Sequence, residues 1–429
     1  MFKTLRNAFK IPDLRSKILY TLLMLVVIRL GAQIFVPGVD SSIIKNMFQQ
    51  ESDIFSLFNA MTGGSFQDMT IFAMGIIPYI TASIIMNLLT IAIPKLEEMQ
   101  KEGEEGRKKI AKYTRYFTIG LATIQALATA IGFGRQGMIL NYGFWSVAMF
   151  TLSLVAGTAF LMWIGERITE RGVGNGISLI ITINILSTLP IDLRKIYEQI
   201  MSDKSFIEIL ILALIVLIIL VVMVAFIVVL QLGERRIPVQ YAKKMQGRKM
   251  VGGQSTHIPL KVNTAGVIPV IFAGSLLQFP TVIAQLTGNL PEDGFWYNFF
   301  NFMNYRNLSG AIIYGLLIIF FAYFYTSITF NPIEVANNMK KNGGFVPGIR
   351  PGKPTVEYLS KVVSHIVLVG ALGLAFISLL PIGLERAFHL QQLSFGGTSL
   401  IIVVGVALET VKQIEAQMLM RHYKGFLNS

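Results

Sequence analysis

Apolar residues in this chain gather into long runs instead of alternating with polar ones. The runs lie at 18–35, 71–93, 116–133, 147–164, 177–189, 207–232, 265–286, 311–330, 362–380 and 398–417. A helix that crosses a bilayer needs about 20 mostly apolar residues, so each run is read as a membrane span and the chain as an all-α polytopic bundle of ten helices. The run at 177–189 is short. Gly75 and Pro78 interrupt the second run, and Pro269 and Pro280 the seventh. The first run is too long for a usual signal-peptide core, contains Arg29 and lacks a small-residue cleavage site, so it is read as retained.

Ten spans divide into two groups of five. An odd number per group places the groups in opposite orientation, as in an inverted repeat around a central substrate path. The expected organisation is an interfacial helix at 1–17, a first half at 18–190, a second half at 191–417 and a tail at 418–429. In the first segment Lys3, Arg6, Lys10 and Arg15 alternate with Phe2, Leu5, Phe9 and Leu14, a pattern that suits an anionic leaflet.

Composition agrees with a membrane bundle. Of the 429 residues 53% are hydrophobic and 14% charged, whereas soluble domains average about 25% charged. The net charge is +13, and its distribution sets the orientation. With loops assigned alternately to the two sides, one side holds only Lys45, Arg135, Arg194, Lys195, Lys204, Arg306 and Arg386. The other takes nearly all remaining Lys and Arg, so both termini are expected in the cytoplasm of a bacterial cell, with the bundle in its plasma membrane.

Little in the chain points to catalysis. There is no cysteine, hence no disulfide, thiol nucleophile or thiolate metal site. No span centre carries a clear Asp, Glu or His, which argues against coupling to protons or sodium. Arg29 is the exception, and its expected role is a structural pairing with backbone carbonyls inside the bundle. The run Gly348-Ile-Arg-Pro-Gly352-Lys353-Pro354 is not a phosphate-binding loop, because it has three residues between the glycines and Pro after the Lys. No metal site and no cofactor are expected, and a partner must supply any energy for uphill work.

Two features exceed what topology needs. The cytoplasmic loops at 231–262 and 331–361 are long and basic. The first carries Arg235, Arg236, Lys243, Lys244, Arg248, Lys249 and Lys261 against Glu234, and the second Lys340, Lys341, Arg350, Lys353 and Lys361. Such loops suit an acidic protein surface or ribosomal RNA. The second feature is Met61-Thr62-Gly63-Gly64-Ser65-Phe66-Gln67-Asp68-Met69, just before the second span. It reads as a re-entrant segment lining a cavity or as an ordinary exterior loop.

Five runs carry a resemblance: Gly75-Ile-Ile-Pro-Tyr-Ile-Thr-Ala-Ser-Ile-Ile, Glu170-Arg-Gly-Val-Gly-Asn-Gly-Ile-Ser, Gln254-Ser-Thr-His-Ile-Pro-Leu-Lys-Val-Asn, Ala265-Gly-Val-Ile-Pro-Val-Ile-Phe-Ala and Phe345-Val-Pro-Gly-Ile-Arg-Pro-Gly. In sequence and order they resemble SecY, the central subunit of the bacterial protein-conducting channel, over essentially the whole chain. The resemblance implies two halves opening like a clamshell around an hourglass pore. It implies a constriction ring at Ile76, Ile80, Ile177, Ile181, Ile271 and Ile402, and a displaceable plug at Met61–Met69. A lateral gate between the second, third, seventh and eighth spans would include Asn87 and Gln278. Arg350, and the pair Arg248 and Lys249, would dock the motor ATPase SecA or the ribosome, including its RNA. Further implied partners are the subunits SecE and SecG, signal sequences of unfolded preproteins and anionic lipids. The chain itself would be a passive channel and no enzyme. Spacing agrees at two points, since Ile76/Ile80 and Ile177/Ile181 are i, i+4 pairs that share a helix face. The alternatives are a secondary transporter for a small neutral solute, which leaves the long basic loops unexplained, and a membrane scaffold, which leaves Met61–Met69 unexplained.

Overall fold

The computed structural model describes residues 2–40, 59, 61–196, 205–241, 244–246, 249–251, 255–287, 294–303, 307–388 and 397–427. Helix α1 (Phe2–Lys10) stands before the first half, which comprises α2 (Pro12–Gly31), α3 (Ile77–Ala92), α4 (Pro94–Lys101), α5 (Glu104–Arg135), α6 (Phe144–Arg171) and α7 (Gly176–Ile196). The second half begins with α8 (Phe206–Leu232). It continues through β1 (Glu234–Tyr241), β2 (Lys244–Gln246), β3 (Lys249–Val251) and β4 (Ser255–Lys261). Then follow α9 (Ile268–Thr287), α10 (Phe295–Met303), α11 (Leu308–Thr329), α12 (Pro332–Lys341), β5 (Gly344–Phe345), α13 (Lys353–Phe388) and α14 (Gly397–Leu427).

Each of the ten expected runs lies largely on a helix. Among the described residues six helices are long and apolar enough to cross a bilayer, or seven if α3 and α4, bent by 100° at their junction, form one broken span. The described apolar stretches of α7 and α9 run over Gly176–Ile191 and Ile268–Leu277. Two boundaries differ from the sequence expectation for clear reasons. The second span starts at Ile77, and Pro78 sits in its first turn, where a missing N–H costs nothing. Residues 71–76 form turns instead, with Gly75 at φ +57°. At the N-terminus the single interfacial helix expected over 1–17 is divided, because Pro12 opens α2. Helix α1 packs on α14, and Ala8 and Leu14 are buried with Val173 and Ile414.

The halves have separate apolar clusters. In the first half Ala122, Ala126 and Ala130 of α5 meet Phe150 and Leu154 of α6, small residues letting the helices approach. In the second, Ile227 of α8, Ile318 of α11, Leu374 of α13 and Ile401 of α14 share one cluster. Gly157 of α6 faces the carbonyl of Ile71, and a Cβ there would lie 1.9 Å from that oxygen. Gly157→Ala is therefore expected to lower stability by about 1–3 kcal/mol through overpacking, read as a lower Tm of the detergent-purified protein. An unchanged Tm would rule out the tight contact.

The long loops are not loose. Strand β1 pairs antiparallel with β4 from Glu234↔Lys261 to Gln240↔Ser255, and with β5 at Gln240↔Phe345 and Tyr241↔Gly344. The sheet order is β4-β1-β5, so strands from both basic loops form one platform. Ile237, Val239 and Leu260 fill its core with Met339 of α12 and Leu359 of α13. Pro238 is tolerated in the middle strand because β5 pairs only with the end of β1.

Candidate functional site

The two halves meet along two seams. One joins α7 to α14, and the other joins α9 to α3 and α5. Where they converge, Ile76, Ile80, Ile181, Ile271 and Ile402 are buried in a single cluster, with Ile177 packed against it. Ile76 precedes α3 and Ile80 lies on it, Ile177 and Ile181 lie on α7, Ile271 on α9 and Ile402 on α14. All six isoleucines singled out from the sequence are thus brought together, four from the first half and two from the second. Leu161, Ile164 and Ile168 of α6 back the cluster from the side of the first half. A buried apolar cluster of this kind leaves no room for water or ions.

Residues 61–69 lie against this cluster as a compact series of turns. Asn59 closes them: its Nδ2 donates to Gln67 Oε1 at 3.2 Å and its Oδ1 accepts from the Gln67 N–H at 3.2 Å. Gly63 and Gly64 take left-handed φ angles of +68° and +85°, which only glycine adopts without strain. Met61 packs in the isoleucine cluster. At the other end Phe66 and Met69 enter the α5–α6 cluster, with the Phe66 ring 6.2 Å from that of Phe133. The Val36 N–H donates to the Met69 carbonyl at 2.9 Å, and the Ile71 N–H to that of Ile34 at 2.9 Å. The hydrogen bonds named here and the packing of Phe66 and Met69 join the segment to the first half, while Met61 packs in the cluster shared by both halves.

Arg29, expected to pair with carbonyls, instead donates from Nη1 to Asn184 Oδ1 of α7 at 3.4 Å. Asn184 Nδ2 in turn donates to the Met61 carbonyl at 3.1 Å. Sequence reading passed over Asn184 and Ser187. The available signal was the set of polar side chains Thr182, Asn184, Ser187 and Thr188 in an otherwise apolar span.

The remaining expected residues separate. Arg350 is exposed on the turn after β5. Its carbonyl accepts from the buried Thr355 hydroxyl at 2.8 Å, and Val346 and Ile349 anchor the turn in the platform core. Asn87 is exposed on α3, so its side chain does not lie inside the seam with α9. Arg248, the side chain of Lys249 at the start of β3, and the side chain of Gln278 on α9 lie outside the described residues.

Comparison with known proteins follows the same outline. The SecY family profile matches residues 70–411. Protein translocase subunit SecY of Halalkalibacterium halodurans is 48% identical over 434 residues, covering 100% of both chains. Those of Streptomyces scabiei and Bacillus subtilis strain 168 are each 46% identical, again over 100% of both chains. Among solved structures, one described as a protein conducting channel has a TM-score of 0.61 at 16% identity, covering 94% of this chain and 92% of its own. Sec61 in a canine ribosome-channel complex has a TM-score of 0.59 at 17% identity, with the same coverage. At these identities the solved structures establish the shared fold.

Proposed function

The chain belongs to the SecY family of protein translocase subunits, and from that premise we propose that it forms a gated pore for unfolded polypeptides at the junction of its two halves. The channel is passive, and the membership replaces the solute-transporter and scaffold alternatives. The observation that carries the pore is the meeting of six isoleucines from both halves, five in one buried cluster and Ile177 packed against it. Isoleucine side chains form a compliant, non-specific seal. A passing chain displaces them without any one sequence being bound, and charged segments cross only a thin apolar ring between two aqueous vestibules. Residues 61–69 act as the plug of the resting channel.

The working protein has ten spans in two inverted halves, in the bacterial plasma membrane with both termini cytoplasmic. The α9 seam with α3 and α5 serves as the lateral gate for signal sequences and membrane helices, with Asn87 and Gln278 on gate helices. The platform of β4, β1 and β5, with Arg350, Arg248 and Lys249, docks a SecA-type ATPase or a translating ribosome and its RNA, which supply the energy. Ribosome-bound relatives of the same fold support that reading. SecE and SecG complete the channel, and α1 rests its basic face on anionic lipid.

The test uses the absence of cysteine from the chain. Ile271→Cys in membrane vesicles is expected to crosslink oxidatively to a cysteine in a preprotein that carries a signal sequence and a folded C-terminal block, only when SecA and ATP are present. Export that proceeds without a crosslink at Ile271 would put the path elsewhere.

A further inference from the structure

The Met61 carbonyl and the Arg29 guanidinium share one side chain. Asn184 is 3% exposed and uses both ends of its amide, accepting from Arg29 of α2 and donating to the Met61 carbonyl. Among the described residues no carboxylate pairs with Arg29. Its half-buried guanidinium is therefore stabilised by this amide and by whatever water reaches it. Ser187 lies one turn along α7. Its single hydroxyl proton goes to the Asn184 carbonyl at 2.6 Å and reaches the Gly63 carbonyl only weakly at 3.5 Å. The chain comes this close because residue 63 is glycine: a Cβ there would stand 2.7 Å from Arg29 Nη1 and 3.0 Å from the Asn184 Cα.

We propose that Asn184, held by Arg29, is a polar latch that fastens the 61–63 backbone to α2 and α7 and so keeps the segment seated against the isoleucine cluster. This rests on the plug reading of residues 61–69 and adds how the plug is held and let go. The latch is strong only while the site is dry, because a buried amide or carbonyl without a partner is costly, whereas in water the exchange is nearly even. Separation of the halves that admits water beside Arg29 weakens the Asn184–Met61 bond with no other trigger. The Asn184 and Arg29 ends of the latch stay together on the first half, since α2 and α7 are in contact.

The experiment places one cysteine at Ser65, which is 3% exposed, in the full chain. Labelling from outside spheroplasts with a membrane-impermeant maleimide is compared with labelling of a second chain carrying Gln136→Cys at an exposed site. Ser65→Cys alone is expected to react far more slowly than Gln136→Cys. Adding Asn184→Leu, which removes both bonds while keeping the branched shape of the side chain, should raise the Ser65 rate about tenfold and leave the Gln136 rate unchanged, the tenfold corresponding to about 1.4 kcal/mol. Asn184→Asp separates a latch from mere packing. It keeps the Arg29 contact yet faces the Met61 carbonyl with an acceptor, so it too should accelerate labelling. Gly63→Ala should do the same by pushing the backbone away, which keeps the test decisive if Asn184→Leu does not fold. Protection by Asn184→Asp equal to the unaltered chain overturns the latch and leaves the plug standing. Labelling of Ser65→Cys as fast as Gln136→Cys without any other change overturns the plug itself.

Discussion

Arg350→Glu is expected to reduce SecA-driven export by roughly thirtyfold to a few thousandfold while the protein remains folded and inserted. Reversing a charge at a docking contact removes the attraction and adds like-charge repulsion, together costing about 2–5 kcal/mol. The structure isolates that effect well. Arg350 is exposed, and its guanidinium has no ion pair among the described residues, so the substitution withdraws nothing from the fold. The turn that carries it is stiff: Gly348 at φ +81°, Gly352 at φ +106° and Pro347 and Pro351 beside them, with the Thr355 hydroxyl bound to the Arg350 carbonyl. A guanidinium on such a stalk loses little freedom on meeting a carboxylate. The measurement is ATP-dependent preprotein uptake into inverted vesicles, with protein level and Tm as controls. Export at the normal rate would remove Arg350 from the docking surface.

Ile402→Asn carries the second large effect, in the opposite sense. Ile402 is 1% exposed in the cluster shared by both halves. An amide there lacks a partner in the closed state and costs about 1–3 kcal/mol, which favours the open, hydrated arrangement by roughly tenfold to a hundredfold. Resting ion conductance should rise in planar bilayers, and export of a preprotein with a defective signal sequence should rise with it. Unchanged conductance together with an unchanged signal requirement would remove Ile402 from the constriction.

Much of this fold was legible in the sequence because a bilayer imposes one strong rule, long apolar runs. That rule placed helices at all ten runs and failed where apolarity does not encode geometry. It could not show that Pro78 begins a helix instead of breaking one. Nor could it show that α3 and α4 bend by 100°, since Pro94 signals a break after Ile93 but not its angle. The platform was hidden for another reason. Arg236-Ile237-Pro238-Val239-Gln240 has the period-two alternation of a half-buried strand, but charge counting reads only its arginines. The isoleucine positions came from the resemblance, since nothing in their composition separates them from isoleucines that face lipid. Asn184 illustrates the remaining limit: its partners are Arg29 and Met61, more than a hundred residues away in the chain, and no local pattern joins them.

The shared sheet has a mechanical consequence. Both loops belong to one small rigid body, because β5 of the second is hydrogen-bonded to β1 of the first. The chain leaves that body at Lys261, and α9 begins at Ile268. Between them the Val262 N–H is bonded to the Gly233 carbonyl, and the Val262 carbonyl abuts Gly370 of α13, where a Cβ would stand 2.3 Å away. The platform is thus tied at Val262 to the end of α8 and to α13, and only residues 263–267 separate that tie from α9. In the proposed docking role of Arg350, a load on that tip would pass through Val262 to α13 at Gly370 and along this short connection toward α9.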